Sequence, residues 1–395
     1  MVFKARLADR TKTMGTENAF EVGIKVAALE KQGKKLTKLH IGQPDFPTPE
    51  NVKQAGIRAI QENKTGYTTA NGVFELRQAV ADYIHQTRGV RVDADNVVIA
   101  VGGKPILYMA AMALLQQGDE VIVPNPSYPI YDSACRLAGA RVVDLPVVEE
   151  TGFRFDHEEL KKKVSPKTKL MIINTPANPT GGVLARDDLK LVRDLALEKG
   201  FTVLCDEIYS RIVYEGKHES ICAFPELMDQ TILLDGWSKT YSMTGWRLGY
   251  GVMPKELAKI MTTLVINIYS GVVNFTQYAG IEALRGPQDS VDRMVREFDV
   301  RRKLIVKLLN ETPGVSCVMP KGAFYAFPNV KKICAKSGMN SKELEEFLLY
   351  KHDLAVLSGT AFGSLGEGYL RFSYAASQDD IRAGVEKMRK AFERL

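Results

Sequence analysis

The chain is poor in the residues that mark several large classes of protein. Its 395 residues include only five cysteines and five histidines. The cysteines (Cys135, Cys205, Cys222, Cys317 and Cys334) are odd in number, widely scattered and without a C-x-x-C pair. That excludes a disulfide framework and predicts buried, reduced thiols. The histidines are equally dispersed, so no metal centre is expected. No apolar run approaches the roughly 20 residues that span a bilayer. The basic start MVFKARLADRTK leads into no apolar stretch, so neither a membrane span nor a secretory signal is expected, and the expected location is cytoplasmic. No internal repeat or low-complexity segment is visible. The net charge of +6 is modest for this length, and Lys161–Lys163 follow Glu158 and Glu159 as on a solvated helix face. No nucleic-acid partner is expected.

What the chain does have is 45% hydrophobic and 25% charged residues, the content of a globular protein with a sizeable core. The length asks for two compact units. Residues 16–35 read as a helix, with Val22, Val26 and Leu29 at helical spacing and Gly33 near the end. The Gly- and Pro-rich stretch LHIGQPDFPTPE then reads as a rigid loop. Seven short apolar runs follow, alternating with helical patterns: 96–101, 120–123, 140–145, 169–174, 201–205, 231–235 and 248–253. This alternation predicts an α/β fold with a mostly parallel sheet covered by helices on both faces. From Asp289 a long charged helix leads into a smaller α+β unit, with strands expected at GVSCVM, AFYAFP and GYLRFSYA and helices at 341–351 and 377–395. The expected organisation is an N-terminal segment 1–44 packing with the small unit, a large domain 45–288 and a small domain 289–395.

Open parallel sheets bind ligands beyond the carboxyl ends of their strands, so the residues that follow each run are the candidates. After 96–101 come Gly102-Gly103-Lys104 and a helix, whose free N–H groups suit a phosphate. After 120–123, Tyr128 sits in PNPSYPIY, where its ring could stack on a flat group. After 169–174, TPANPTGG presents the Asn178 amide. After 201–205 comes Asp206, a carboxylate costly to bury without a positive partner. After 231–235 comes GWSKTYSMTGWR, which holds Lys239 between the chain's two tryptophans, Trp237 and Trp246. Desolvation there would lower the amine's pKa and make it a Schiff-base nucleophile. In GYLRFSYA, strand alternation sets Arg371 apart from Leu370, Phe372 and Tyr374, and its planar fork suits a carboxylate. Taken alone, each has a plainer reading as a turn, a packing ring, a surface charge or a structural ion pair. Together they describe one site.

Asn178-Pro179-Thr180-Gly181, Asp206-Glu207-Ile208-Tyr209 and Ser238-Lys239-Thr240 with Met243-Thr244-Gly245-Trp246-Arg247 resemble the class I/II aminotransferases of the aspartate aminotransferase type. IGQPDFPTP and LRFSYA extend the resemblance over nearly the whole chain. It implies the fold type I architecture and pyridoxal 5′-phosphate as cofactor. It also implies that Lys239 bonds the cofactor, Asp206 pairs with the pyridine nitrogen, Asn178 and Tyr209 bond the ring's phenolic oxygen, and Tyr128 stacks on the ring. Gly103, Lys104, Ser238 and Arg247 would hold the phosphate, and Tyr67 would reach the neighbouring subunit's phosphate in a homodimer. Arg371 would clamp the substrate α-carboxylate, aided by Gly42. The implied reaction is ping-pong transfer of an amino group from an L-amino acid to a 2-oxo acid such as 2-oxoglutarate. Two features depart from the pattern. Gly236 stands three before the lysine, where many relatives carry a hydroxyl, and Met261–Leu284 hold no Lys or Arg with which some aspartate-specific relatives bind a distal carboxylate. The donor stays open among aspartate, alanine and aromatic types, with the apolar Asn18-Ala19-Phe20 segment suited to neutral side chains.

A β- or γ-lyase or synthase on the same fold would need the same lysine and aspartate, and its products would tell it apart. A non-catalytic regulator would need a DNA-binding module before the strand–helix alternation, where only about 45 residues are available.

Overall fold

Strands buried on both faces must be apolar at nearly every position, and the runs are, apart from the one that carries Arg141 and Asp144. The computed structural model describes residues 6–9, 11 and 15–395, and in it each run becomes a strand of one sheet. They are β1 (Val97–Ala100), β2 (Glu120–Asn125), β3 (Arg141–Pro146), β4 (Thr168–Asn174), β5 (Thr202–Asp206), β6 (Thr231–Gly236) and β7 (Gly249–Val252). Their order across the sheet is β1-β7-β6-β5-β4-β2-β3, which puts the more polar β3 at an edge. Only β7 runs against the rest, antiparallel to both β1 and β6. Alternate residues feed two cores: Ile99, Ile122, Ile173, Val203 and Leu233 face one helical layer, and Val98, Val123, Ile172, Leu204 and Leu234 the other.

The reversal of β7 matters for the site. The parallel strands end at one edge, and an antiparallel strand starts there. Gly249 pairs with both Ala100 and Gly236, so Arg247, two residues earlier, arrives beside the turn that follows β1. Gly249 has to be glycine, because a Cβ there would lie 2.5 Å from the Gly102 carbonyl carbon.

The N-terminal helix spans Asn18–Lys31 and buries Ala19, Val22, Val26 and Leu29. Thr37–Lys38 then pairs in parallel with Leu354–Ala355, near the C-terminal end of the chain. The charged helix is Asp289–Asn310. After it, Tyr325–Ala326, Leu357–Ser358 and Leu370–Ser373 form a three-stranded sheet around a core that includes Phe298, Phe324 and Phe372. The helices expected at 341–351 and 377–395 are Ser341–His352 and Gln378–Glu393. The strand expected at GVSCVM does not form. That segment makes a single bridge, Ser316 to Asn329, and alternation alone does not supply the neighbour a strand requires. Among the described residues no helix is long and apolar enough to cross a membrane. The five thiols are free, and all but Cys334 are buried.

Candidate active site

A cavity of about 620 Å³ opens beyond the carboxyl edge of the sheet. Every residue to which the resemblance gives a role in holding the cofactor or the α-carboxylate lines it, Tyr67 excepted.

Lys239 lies in the turn after β6. The turn is anchored by buried Trp237, whose Nε1–H donates to the Gly280 carbonyl at 3.0 Å, and by buried Met243, whose N–H donates to the Ser238 carbonyl at 3.2 Å. The Lys239 amine donates to the carbonyl of Gly42 and lies 5.9 Å from the centre of the Phe324 ring. Burial lowers its pKa to about 8; the Glu17 carboxylate opposes the fall, and the charges of Arg371, Lys104 and Arg247 deepen it. A lysine so placed is neutral in about a tenth of molecules at pH 7, several hundredfold more than a free one. The position three before the lysine is packed against backbone: a Cβ on Gly236 would come 2.9 Å from the Cα of Gly249.

Asp206 ends β5 and is buried. Its carboxylate accepts the Tyr131 hydroxyl at 2.7 Å and the Ile208 N–H at 3.1 Å. Burial still pushes its pKa up to about 6. No cationic side chain among the described residues forms a salt bridge with it. A protonated heterocyclic nitrogen would supply the missing charge.

Arg371 is buried in the strand Leu370–Ser373. One terminal nitrogen donates to Asn178 Oδ1 at 3.1 Å and the other to the His40 carbonyl, while its Nε has no partner. The guanidinium stacks between the rings of Tyr325, 4.5 Å away, and Phe362, 4.9 Å away. No carboxylate among the described residues pairs with it, so this is a prepared socket for one. Gly42 faces the same place, and a Cβ on it would overlap the Tyr325 hydroxyl at 2.0 Å. That hydroxyl also bonds Tyr209 Oη at 2.8 Å. Close by, burial and the Arg371 charge lower the His40 pKa to about 4, so it is neutral at pH 7.

The turn after β1 passes through Gly102, at φ 96°, into the helix Gly103–Leu114. Arg247 lies against this turn and donates to the carbonyls of Thr244 and Val101 at 2.8 and 3.2 Å. Ser238 is half-buried at the cavity wall. The Lys104 ammonium turns elsewhere: it pairs with Glu17 and lies over the rings of Phe20 and Tyr128. Tyr128 packs edge-on to Tyr131, with ring centres 5.5 Å apart. Ala19 and Phe20 line the cavity, and Asn18 does not. Tyr67 stands 96% exposed, away from this cavity.

Among the lining residues, sequence reasoning missed Glu17, Tyr131, Asn174 and Tyr325. Asn174, the last residue of β4, donates to the Asp206 carbonyl at 2.9 Å and accepts the Asn178 N–H at 2.8 Å, tying two strand ends together. Its signal was a polar residue closing an apolar run. Tyr131 stands one helical turn after Tyr128. Glu17 and Tyr325 carried no local signal.

The family described as aminotransferase class I and II matches residues 34–388. The chain is 41% identical over 361 residues to an aspartate aminotransferase of Pyrococcus horikoshii, covering 91% of each chain. It is 39% identical over 362 residues to aromatic-amino-acid aminotransferase 2 of Thermococcus litoralis, covering 91% of this chain and 92% of that one. Its fold superposes on the aspartate aminotransferase of Thermus thermophilus solved with maleate, with a TM-score of 0.93 and 34% identity, covering 98% of this chain and 100% of that one.

Proposed function

The chain belongs to the class I and II aminotransferases and is an enzyme of that kind; from this premise we propose that its cavity holds pyridoxal 5′-phosphate and moves the amino group of an L-amino acid to a 2-oxo acid. One observation carries the reading. A lysine with a depressed pKa, a buried carboxylate lacking a cation and a buried guanidinium lacking an anion converge on one cavity. Each lacks what the cofactor or the substrate brings.

When bound, the cofactor supplies an electron sink for the carbanion formed at the substrate Cα. The protein supplies the rest. Asp206, steadied by Tyr131 and Ile208, keeps a proton on the ring nitrogen. Tyr209 and Asn178 donate to the phenolic oxygen, and Tyr128 covers the ring. The backbone of Gly103 and Lys104, with Ser238 and Arg247, holds the phosphate, the Lys104 ammonium being engaged by Glu17. Arg371 receives the α-carboxylate beside Gly42. The neutral amine of Lys239 takes the proton from Cα and carries it at Nζ.

The same reading includes a homodimer in which the exposed Tyr67 reaches the other subunit's phosphate, a cytoplasmic location, and a large domain 45–288 followed by a small domain 289–395 with which segment 1–44 packs. The pairing of Thr37–Lys38 with Leu354–Ala355 supports the last point. Residues 1–5, 10 and 12–14 lie outside the described ones. The relatives' names point to aspartate or aromatic donors. The test is Lys239→Ala. The variant should lose the visible absorbance that substrate displaces, and turnover with it; a variant working at the wild-type rate would overturn the proposal.

A further inference from the structure

Among the described residues, six charged side chains line the cavity: Glu17, Lys104, Asp206, Lys239, Arg247 and Arg371. Four have tasks in the proposed transamination, and the role of the other two rests on that reaction. Those two pair with each other, and the Tyr128 hydroxyl also faces the Glu17 carboxylate. Glu17 immediately precedes the helix Asn18–Lys31, Lys104 is the second residue of the helix Gly103–Leu114, and they are joined by an ion pair across 87 positions of sequence. Their side chains keep 20% and 39% of their surface exposed, so the pair faces the cavity rather than the core. Around it the N-terminal wall is apolar, built from Ala19, Phe20 and Ile41.

We propose that Glu17 determines the substrate class: its carboxylate, held on Lys104, bars amino acids bearing a second carboxylate and leaves the site to donors with uncharged side chains. An amino acid clamped by Arg371 through its α-carboxylate extends its side chain into the remaining space. A distal carboxylate there needs a cation. Met261–Leu284 of this chain offer none, and among the described lining residues Lys104 is the cation without another task. To reach it, the substrate must displace Glu17 and then sit beside it, two like charges in a partly desolvated wall. An uncharged side chain leaves the ion pair intact and packs on apolar surface. The exclusion is a built-in repulsion rather than a missing contact.

Single-turnover donor half-reactions on the holoenzyme test this without a dicarboxylate acceptor. Rates over donor concentration are compared for aspartate and for the better of phenylalanine and alanine, and maleate affinity is measured by calorimetry. The wild type should favour the uncharged donor by at least about tenfold. In Glu17→Gln, which keeps a hydrogen bond to Lys104 without the charge, the aspartate-to-uncharged ratio should rise at least about tenfold and maleate should bind at least about tenfold tighter. Adding Lys104→Met should remove both gains. A wild type that favours aspartate, a smaller change in Glu17→Gln, or gains that survive Lys104→Met would each overturn the proposal. A wild type that converts its uncharged donor while Glu17→Gln leaves the ratio unmoved sinks only the role of Glu17. A wild type giving no half-reaction with any donor sinks the aminotransferase site as well.

Discussion

Burial raises the Asp206 pKa from the usual aspartate range to about 6 in the chain by itself. A carboxyl that holds its proton more tightly when folded loses stability as pH rises through that interval. Two pH units correspond to roughly 3 kcal/mol, absent at pH 4 and fully felt above pH 6. Asp206→Asn removes the charge while keeping an acceptor for Ile208. Without cofactor, the variant should therefore be more stable at pH 7.5, by up to about 3 kcal/mol in urea unfolding, although its turnover falls by a hundredfold or more. An apoprotein destabilised by this substitution would contradict the account. Arg371 allows a second prediction. Its fork is fixed by Asn178 and the His40 carbonyl, and lysine keeps the charge without the two-pronged geometry. Arg371→Lys should raise KM for every amino donor by about tenfold or more, and steady-state kinetics with two unlike donors would show whether the loss is common to both.

Beneath the site, the helix Phe74–Arg88 is tied to two strands by buried charge. Arg88 donates to Glu207, the residue after β5, at 3.2 Å and to Asp235 on β6 at 2.7 Å, with all three side chains almost wholly buried. Burial would raise the Glu207 pKa, yet His218, Arg88 and Ser220 together hold it at about 2. These elements carry Asp206 and Lys239 on their ends, so the network sets the height of both groups at the sheet edge. Replacing Arg88 with leucine strands two carboxylates in the core, and the loss of stability should be about 3–5 kcal/mol by denaturant unfolding. A carboxyl whose folded pKa is depressed adds stability above its unfolded value and forfeits it as pH falls towards 2. Glu207→Gln should accordingly flatten the acid limb of the stability profile between about pH 4.5 and pH 2.

At the scale of the molecule, several large apolar side chains stand exposed. Ile57, Ile60, Tyr67, Phe74, Ile266 and Ile268 are each at least 45% exposed. The loop bearing Tyr67 is braced from below: Asn274 donates to the Gly66 carbonyl at 3.1 Å and Gln277 to Thr68 Oγ1 at 3.2 Å. A fixed loop that presents an aromatic ring to solvent suits a second copy of the chain. Sedimentation should give twice the chain mass, and Ile266→Glu with Ile268→Glu should halve it. Tyr67→Ala should leave the dimer intact and weaken cofactor retention by about tenfold, measured as loss of bound cofactor on dilution.

How much of this could be read along the chain depends on the range of each interaction. The seven strands, the flanking helices and the glycine turn before the helix at Gly103 follow from local patterns, because burial on both faces, helical periodicity and turn chemistry act within a few residues. Lys239, Asp206, Asn178 and Arg371 were legible for the same reason: each stands in or beside an apolar run that predicts its place. The segment GVSCVM shows the limit, since its alternation suggested a strand and its single bridge depends on Asn329. What only the tertiary structure decided lies in contacts between residues distant in sequence. Tyr131 reaches Asp206 across 75 positions, Glu17 reaches Lys104 across 87, and Tyr209 reaches Tyr325 across 116. These contacts arise because the way helices, the N-terminal segment and the three-stranded sheet meet at the edge of the large sheet is a property of the folded chain. That packing brings separate charges into one cavity, and there burial and neighbouring fields, rather than residue type, set the pKa values of Lys239 and Asp206.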